Sequence, residues 1–147
     1  MKNTVGKIAI IGLGYVGLPL AVGFSKKYDV IGFDLNLNRI KELENNHDKT
    51  NEVPASVLAS IDNILFTNNQ EDLCNAKQFI ITVPTPIDKY NNPDLSYLIN
   101  ASEIVSRYIQ VGSHIIFEST VFPGATEEIC LPILKKGTEL EFNKDFF

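Results

Sequence analysis

The sequence has few cysteines and no long apolar run. Its two cysteines, Cys74 and Cys130, are too few for a disulfide scaffold or a four-cysteine zinc site. No stretch approaches the roughly 18 uninterrupted apolar residues that a membrane-spanning helix needs. Glycines interrupt the apolar run near the N-terminus, which is not the pattern of a secretory signal. These absences predict a cytoplasmic protein that has no membrane partner.

Basic residues are also scarce. The chain has 13 Lys and Arg against 18 Asp and Glu, for a formal net charge of −5, and no basic cluster is larger than a pair. A nucleic-acid-binding domain of this size normally presents a basic face, so nucleic acid is not an expected partner. The 147 residues, 44% hydrophobic and 21% charged, predict one folded domain over 1–147.

Short apolar runs alternate with amphipathic stretches, which is typical of a parallel sheet covered by helices. The predicted strands are 7–11, 29–34, 64–67, 78–83, 114–118 and 139–142. The predicted helices are 15–27, 36–45, 53–61, 94–109 (with Asp94 as its N-cap) and 124–134. The pattern therefore predicts an α/β fold, a doubly wound and mostly parallel sheet of the Rossmann type with helices on both faces.

A glycine-rich turn separates the first predicted strand from the first predicted helix. Residues 12–17 read GLGYVG and match G-x-G-x-x-G in the context that makes this motif specific. Gly12 permits the tight turn, Gly14 lets a pyrophosphate approach the backbone, and Gly17 lets the helix lie close to the sheet. Backbone N–H groups at the helix start would bind the phosphates. The predicted cofactor-binding residues of the turn are Gly12, Leu13, Gly14, Tyr15, Val16 and Gly17.

Asp34 ends the second predicted strand, about 20 residues beyond the glycine turn, where the dinucleotide fingerprint places an acid. A carboxylate there binds the adenosine ribose hydroxyls and repels a 2′-phosphate, so NAD is favoured over NADP. Arg39 argues the other way, because an arginine near this point can bind a 2′-phosphate. We interpret Arg39 as an adenine-stacking or ribose-side residue, since Asp34 holds the deciding position. On the alternative interpretation, the glycines only mark a tight turn and Asp34 only caps a helix.

Two further predicted strands end in segments that carry hydroxyl groups. Residues 83–86 read VPTP and place Thr85 in a loop stiffened by prolines, and residues 118–124 read ESTVFPG and include Thr120. Ligands of doubly wound sheets bind beyond the carboxyl ends of the strands, so both threonines are candidate site residues. Ordinary turn chemistry at a strand exit explains the two segments equally well.

Four motifs together resemble the UDP-glucose/GDP-mannose dehydrogenase family. They are GLGYVGLPLA at 12–21, VPTP at 83–86, NPDLSYL at 92–98 and ESTVFPGATEE at 118–128. They follow one another in order across nearly the whole chain. The GLPLA run and the glutamate of ESTVFPGATEE are more similar to the branch that oxidises UDP-N-acetylhexosamines than to the UDP-glucose branch, where lysine is common at that position.

The resemblance implies a two-step oxidation of a sugar C6 alcohol to a carboxylate, which reduces two NAD+ and proceeds through a thiohemiacetal and a thioester on a cysteine. It implies NAD and a UDP-sugar as ligands. The backbone of 12–16 would hold the pyrophosphate, with Asp34 and Arg39 at the adenosine end. Thr85 and Thr120 would lie along the cofactor, and Thr120 could also help to place the catalytic water.

The sequence departs from the family where the family's reaction chemistry begins. The chain ends before the catalytic glutamate, the lysine, the asparagine and the nucleophilic cysteine of the family. Cys74 and Cys130 do not match the surroundings of that nucleophile, and Glu118, His47 and His114 receive no catalytic role. We therefore expect a domain that binds NAD without turnover by itself, and that meets a UDP-sugar only together with a further domain.

Two other functions compete with this interpretation. A non-catalytic NAD-binding sensor or partner-binding module would need the glycine turn but neither Thr85 nor Thr120. A short-chain sugar epimerase or reductase fits poorly, because those enzymes have a wider glycine spacing and a Tyr-x-x-x-Lys pair that this sequence lacks. Exposed apolar surface drives association, so the aromatic tail of Phe142, Phe146 and Phe147 is a candidate contact for a homo-oligomer.

Overall fold

The structure is a computed structural model that describes residues 6–147, and its centre is a parallel β-sheet. The strands are β1 Lys7–Ile11, β2 Val30–Phe33, β3 Ile64–Thr67, β4 Ala76–Ile81 and β5 His114–Phe117. The α-helices are α1 Gly17–Ser25, α2 Leu37–Glu44, α3 Ala55–Leu58, α4 Ser96–Ser106 and α5 Leu131–Lys136. A 3₁₀ helix covers Gln70–Asn75, and a π-helical turn over Thr126–Cys130 leads into α5.

The strand order is β3-β2-β1-β4-β5, and every neighbouring pair is parallel. The chain winds outward from β1 through β2 to β3, then returns to the other side of β1 and continues through β4 to β5. The connections that leave β1 and β4 therefore diverge, and a crevice opens at the carboxyl edge between them. This arrangement confirms the predicted doubly wound α/β fold.

Two hydrophobic cores lie on opposite faces of the sheet. Ile8 and Ile10 of β1 pack in one core with residues of α1 and α2, whereas Ala9 and Ile11 pack in the other with residues of α4 and α5. A strand that is buried on both faces carries no polar alternation. The continuous apolar run of β1 thus follows directly from its central place in the sheet.

The predicted strand at 139–142 is wrong, so the sheet has five strands over the described residues rather than six. Leu140 and Phe142 alternate with glutamates as strand residues do, but the chain turns immediately afterwards. Asn143 has φ 64°, and the N–H of Asp145 donates to the carbonyl of Glu141 at 2.8 Å. Phe142 consequently forms only an isolated bridge with Phe146.

The aromatic tail divides between core and surface. Phe146 is 1% exposed and belongs to the core on the α4 side, so it is not available for contact with another molecule, contrary to expectation. Phe142 and Phe147 are 39% and 46% exposed. The N–H of Phe147 donates to the carbonyl of Ser113, and its carbonyl accepts from Ile115, which anchors the tail beside β5.

Several element boundaries differ from the prediction. Helix α1 starts at Gly17 rather than at residue 15, because the preceding residues form the glycine turn. Helix α4 starts at Ser96, with Leu95 as the formal N-cap, although the Asp94 carboxylate accepts the N–H of Ser96 at 2.9 Å. The 3₁₀ helix before β4 was not predicted.

None of the helices within 6–147 combines the length and apolarity needed to cross a membrane.

Candidate cofactor-binding site

A cavity of about 360 Å³ lies at the carboxyl edge of the sheet, where the strand order reverses. The glycine turn after β1 forms one side of it, and the end of β2 with the start of α2 forms another. The end of β4 with Val83 and Pro84, residues of α4 that include Tyr97, and the 49–50 segment also line it. The cavity thus occupies the crevice in which doubly wound folds bind nucleotides.

Two glycines of the turn are required by packing within the chain. Gly12 has φ +98°, a conformation that side chains disfavour, and a Cβ there would approach the backbone nitrogen of Val83 to 3.2 Å. A Cβ on Gly17 would overlap the carbonyl oxygen of Gly12 and reach the Thr82 hydroxyl. Only glycine at both positions allows α1 to start this close to β1 and β4.

Gly14 has a different environment. A Cβ at this position would meet no atom within 4 Å, and Gly14 lines the cavity. Nothing in the described chain therefore requires a glycine here, and the free space borders the cavity. The N–H groups of Tyr15 and Val16, at the start of α1, donate to no other described residue. Free N–H groups at a helix N-terminus beside open space fit a bound pyrophosphate.

Asp34 is attached to the glycine turn by its side chain. Its Oδ2 accepts the N–H of Leu13 at 2.9 Å, and its Oδ1 accepts the N–H of Asn36 at 2.9 Å. Each carboxylate oxygen has room for a further hydrogen bond, so both can still accept one from a ribose hydroxyl. Asp34 is partly exposed and lines the cavity, as a ribose ligand must.

Arg39 is buried, with 3% exposure, although it also contributes to the cavity lining. Its Nε donates to the carbonyl of Leu13 at 2.8 Å, and its Nη2 donates to Asp48 Oδ1 at 2.8 Å. Its Nη1 lies 3.4 Å from Glu42 Oε2. All three nitrogens of the guanidinium are therefore engaged inside the chain. A planar guanidinium in this state can still stack on a base.

Asp48, which holds Arg39 at the edge of the site, was not singled out from the sequence. Its carboxylate accepts hydrogen bonds from Arg39, from the N–H and hydroxyl of Thr50, and from the N–H groups of Glu52 and Val53. Burial raises the pKa of Asp48, but these hydrogen bonds lower it by more, so the pKa lies well below its ordinary value. An aspartate that binds the N–H two residues further on, here that of Thr50, is typical of a local turn. Nothing in the sequence links Asp48 to Arg39.

The loops after β4 and β5 are joined by two short hydrogen bonds. The Thr85 hydroxyl donates to the carbonyl of Thr120 at 2.6 Å, and the Ser119 hydroxyl donates to the carbonyl of Val83 at 2.6 Å. The structure thus brings the two predicted threonines together. The cavity lining includes Val83 but neither threonine, so their contact with a cofactor stays a prediction.

Thr82 is a second residue that the sequence did not single out. Its hydroxyl donates to the carbonyl of Gly12 at 2.7 Å and contributes to the cavity lining. The bond joins the end of β4 to the glycine turn, and Thr82 is 9% exposed. A hydroxyl in this place holds the turn in the conformation that exposes its N–H groups.

The two cysteines, the two histidines and Glu118 lie outside the cavity lining. Cys130 is buried in the core, and burial raises the pKa of its thiol, whereas Cys74 is exposed. His47, His114 and Glu118 are exposed. Within residues 6–147, no three His, Cys, Asp or Glu side chains are grouped so as to hold a metal ion.

Residues 6–147 match the model of the NAD-binding domain of the UDP-glucose/GDP-mannose dehydrogenase family. The chain belongs to this family. The resemblance inferred from the four motifs is thereby confirmed, and NAD is the cofactor of this NAD-binding domain. The open space at Gly14 and the acid at the end of β2 agree with that cofactor.

Relatives of this NAD-binding domain are considerably longer. It is 56% identical over 140 residues to the Protein CapL of Staphylococcus aureus, covering 95% of this chain and 33% of that protein. It is 52% identical over 141 residues to a UDP-N-acetyl-D-glucosamine 6-dehydrogenase of Pseudomonas aeruginosa, covering 96% and 33%. A solved structure of a UDP-D-ManNAc dehydrogenase from Pyrococcus horikoshii superposes with a TM-score of 0.86 at 36% identity, covering 95% and 34%. The chain spans about one third of the length of these relatives.

Proposed function

We propose that this NAD-binding domain belongs to an enzyme that oxidises the C6 alcohol of a UDP-N-acetylhexosamine to a carboxylate for polysaccharide precursor synthesis in the cytoplasm. The observation that carries the proposal is the 52% identity, over 96% of the chain, to a UDP-N-acetyl-D-glucosamine 6-dehydrogenase. Identity to a UDP-N-acetyl-D-mannosamine dehydrogenase of Pyrococcus horikoshii is 37%.

The proposed cofactor contacts begin in the cavity and extend beyond its lining to Thr85 and Thr120. The free N–H groups of Tyr15 and Val16 in the glycine turn bind the pyrophosphate at the start of α1, where the helix dipole favours negative charge. The N–H groups of Gly12 and Leu13 do not take part, because they donate to the Phe33 carbonyl and to Asp34 Oδ2. Asp34 binds the adenosine ribose, and Arg39 lies at the adenine side. Thr85 and Thr120 lie further along the cofactor. Support comes from the open space at Gly14 and from the partly exposed Asp34 beside it.

NAD+ supplies the hydride acceptor of the proposed reaction. A primary alcohol and one water become a carboxylate, while two NAD+ become two NADH and protons are released. This domain binds and orients the cofactor, and Thr120 is proposed to help place the water. Cys130 is unsuited as the nucleophile because it is buried and the pKa of its thiol is raised, and Cys74 lies outside the cavity lining.

We further propose that residues 1–147 form one domain, and that the central helix and the substrate domain of the family follow it in the longer protein. The support is that the chain spans only about one third of its relatives. The UDP-sugar then binds only when that further domain is present. Self-association of this chain is compatible with the exposed Phe142 and Phe147.

The test separates cofactor binding from turnover. The chain alone is titrated with NAD+ and then assayed for NADH formation with UDP-N-acetylglucosamine, UDP-N-acetylmannosamine and UDP-glucose. We expect NAD+ binding and no NADH. A protein of the relatives' length that carries this domain is expected to form NADH faster with a UDP-N-acetylhexosamine than with UDP-glucose. If the longer protein formed NADH with none of the three UDP-sugars, a non-catalytic NAD sensor would be favoured instead.

A further inference from the structure

Asp34 and Arg39 bind the same residue of the glycine turn from opposite sides. The N–H of Leu13 donates to Asp34 Oδ2 at 2.9 Å, and the carbonyl of Leu13 accepts from Arg39 Nε at 2.8 Å. Arg39 therefore lies next to the acid that meets the adenosine ribose. An arginine at this place is chemically suited to bind a 2′-phosphate, because its fork of donors matches phosphate oxygens.

Each of the three guanidinium nitrogens already donates to a partner within this chain. Arg39 Nη2 forms a 2.8 Å ion pair with Asp48, and the two side chains are only 4% and 1% exposed. The second contact, from Nη1 to Glu42, is longer at 3.4 Å, and the Glu42 side chain is 25% exposed. Asp48 is thus the principal carboxylate that holds the guanidinium, and Glu42 is the weaker one.

The position of Asp48 does not depend on Arg39. Its carboxylate accepts four other hydrogen bonds, from the N–H and the hydroxyl of Thr50 and from the N–H groups of Glu52 and Val53. These four hydrogen bonds fix the carboxylate on its own loop and keep it charged, in agreement with its lowered pKa. Arg39 is therefore drawn toward a preformed anionic group.

We propose that Asp48 is a positioning residue for cofactor selectivity, which holds Arg39 against the Leu13 carbonyl and thereby withholds the guanidinium from the 2′-position of the cofactor. The inference rests on the proposed binding of NAD in this cavity. Selectivity for NAD then has two parts. Asp34 repels a 2′-phosphate directly, and Asp48 occupies the one nearby arginine that would attract it.

The test compares dissociation constants for NAD+ and NADP+, measured by calorimetry, in the native chain, in Asp48→Asn, and in the double variant Asp48→Asn/Arg39→Gln. In Asp48→Asn we expect the ratio of the NADP+ constant to the NAD+ constant to fall about tenfold, as for one charged hydrogen bond gained. In the double variant the ratio returns to its native value. If the Asp48 carboxylate serves only to fold its loop, Asp48→Asn would weaken the binding of both cofactors alike, whether or not Arg39 is present. That result would overturn the inference.

Asp72→Asn is the matched control. Its Oδ2 accepts the Thr67 hydroxyl at 2.6 Å, it lies outside the cavity lining, and the substitution removes the same charge. We expect its NADP+ to NAD+ ratio to equal that of the native chain. A fall as large as that of Asp48→Asn would mean that net charge, rather than Arg39, sets the ratio, and would overturn the inference.

Arg39→Gln keeps the inference testable if Asp48→Asn fails to fold. Asp48 retains four hydrogen bonds in this variant, so its charge stays stabilised. If Arg39 is withheld from the 2′-position, the native ratio persists in Arg39→Gln. A selective loss of NADP+ affinity would show that Arg39 already binds the 2′-phosphate and would overturn the inference.

The failure of the inference can be told apart from the failure of the proposed function. If the native chain binds NAD+ but Asp48→Asn leaves the ratio of the two constants unchanged, only the inference is overturned. Failure of the native chain to bind NAD+ overturns the proposed function as well.

Discussion

Gly17 packs directly against the carbonyl oxygen of Gly12, so closely that a Cβ on Gly17 would overlap that oxygen. Gly14, between them in the same motif, would place a Cβ in open space beside the cavity. The glycines of one short motif therefore meet different requirements. Packing within the chain requires Gly12 and Gly17, whereas only a molecule bound in the cavity would require Gly14. This contrast allows folding and binding to be separated by substitution.

Gly17→Ala is expected to destabilise the domain. The added methyl must displace backbone rather than a flexible side chain, and overpacking of this kind costs about 1–3 kcal/mol or more. Urea unfolding followed by far-UV circular dichroism measures the change. An unfolding free energy equal to that of the native chain would contradict the close packing of α1 against Gly12.

Gly14→Ala is expected to fold normally and to bind NAD+ poorly. Since its Cβ would meet nothing within 4 Å, we expect a change in unfolding free energy of no more than about 1 kcal/mol. The methyl group would occupy space that the pyrophosphate needs, and we expect affinity to fall about tenfold or more. Calorimetric titration measures this. Native affinity in Gly14→Ala would show that the phosphates do not approach the turn here.

The sequence predicted those features of the site that are formed by residues close together in the chain. The run of β1, the glycine turn and Asp34 lie close together in the sequence, and each has a residue type that its conformation or ligand requires. The strand and the turn were predicted correctly, as were five of the six predicted strands, whereas the ligand of Asp34 stays a prediction. The crevice follows from the strand order alone.

The failures concern contacts and turns that hydrophobic periodicity does not encode. Asp48 sits in a polar stretch whose composition indicates only a loop, and its partner Arg39 is on α2. The strand predicted at 139–142 rested on alternation, which the left-handed Asn143 interrupts. The buried Phe146 forms a bridge with Ser113, which lies more than 30 residues away in the sequence. Periodicity reports which face of an element is buried, and it does not report the partner of a polar side chain or the residue at which the chain turns.

Asp34→Asn is expected to weaken NAD+ binding and to reduce the preference over NADP+. The amide provides one acceptor oxygen where the carboxylate has two, and the repulsion of a 2′-phosphate is removed. We expect NAD+ affinity to fall about tenfold, with a smaller loss for NADP+. Asp62→Asn, an exposed site outside the cavity lining, is the matched charge control and should bind both cofactors as the native chain does. Equal losses for both cofactors in Asp34→Asn would refute its role in discrimination.

The pH dependence of stability should report Asp48. Because its pKa is lowered in the folded state, its contribution to stability is complete above the ordinary carboxyl pKa of about 4 and is lost as pH falls through the folded value. Asp48→Asn should therefore be less stable than the native chain at neutral pH, by about 3 kcal/mol. The difference should shrink below about pH 4. Urea titrations across this range measure it, and a difference independent of pH would contradict the assignment.

Calorimetric titration of the chain with NAD+ and, separately, with NADP+ tests the central claim most directly. The glycine turn, Asp34 and the Asp48–Arg39 pair predict that NAD+ binds at one site and that NADP+ binds at least about tenfold more weakly. Tighter binding of NADP+ would contradict the roles assigned to Asp34 and Asp48. Absence of binding for both would contradict a cavity that is formed by this domain alone.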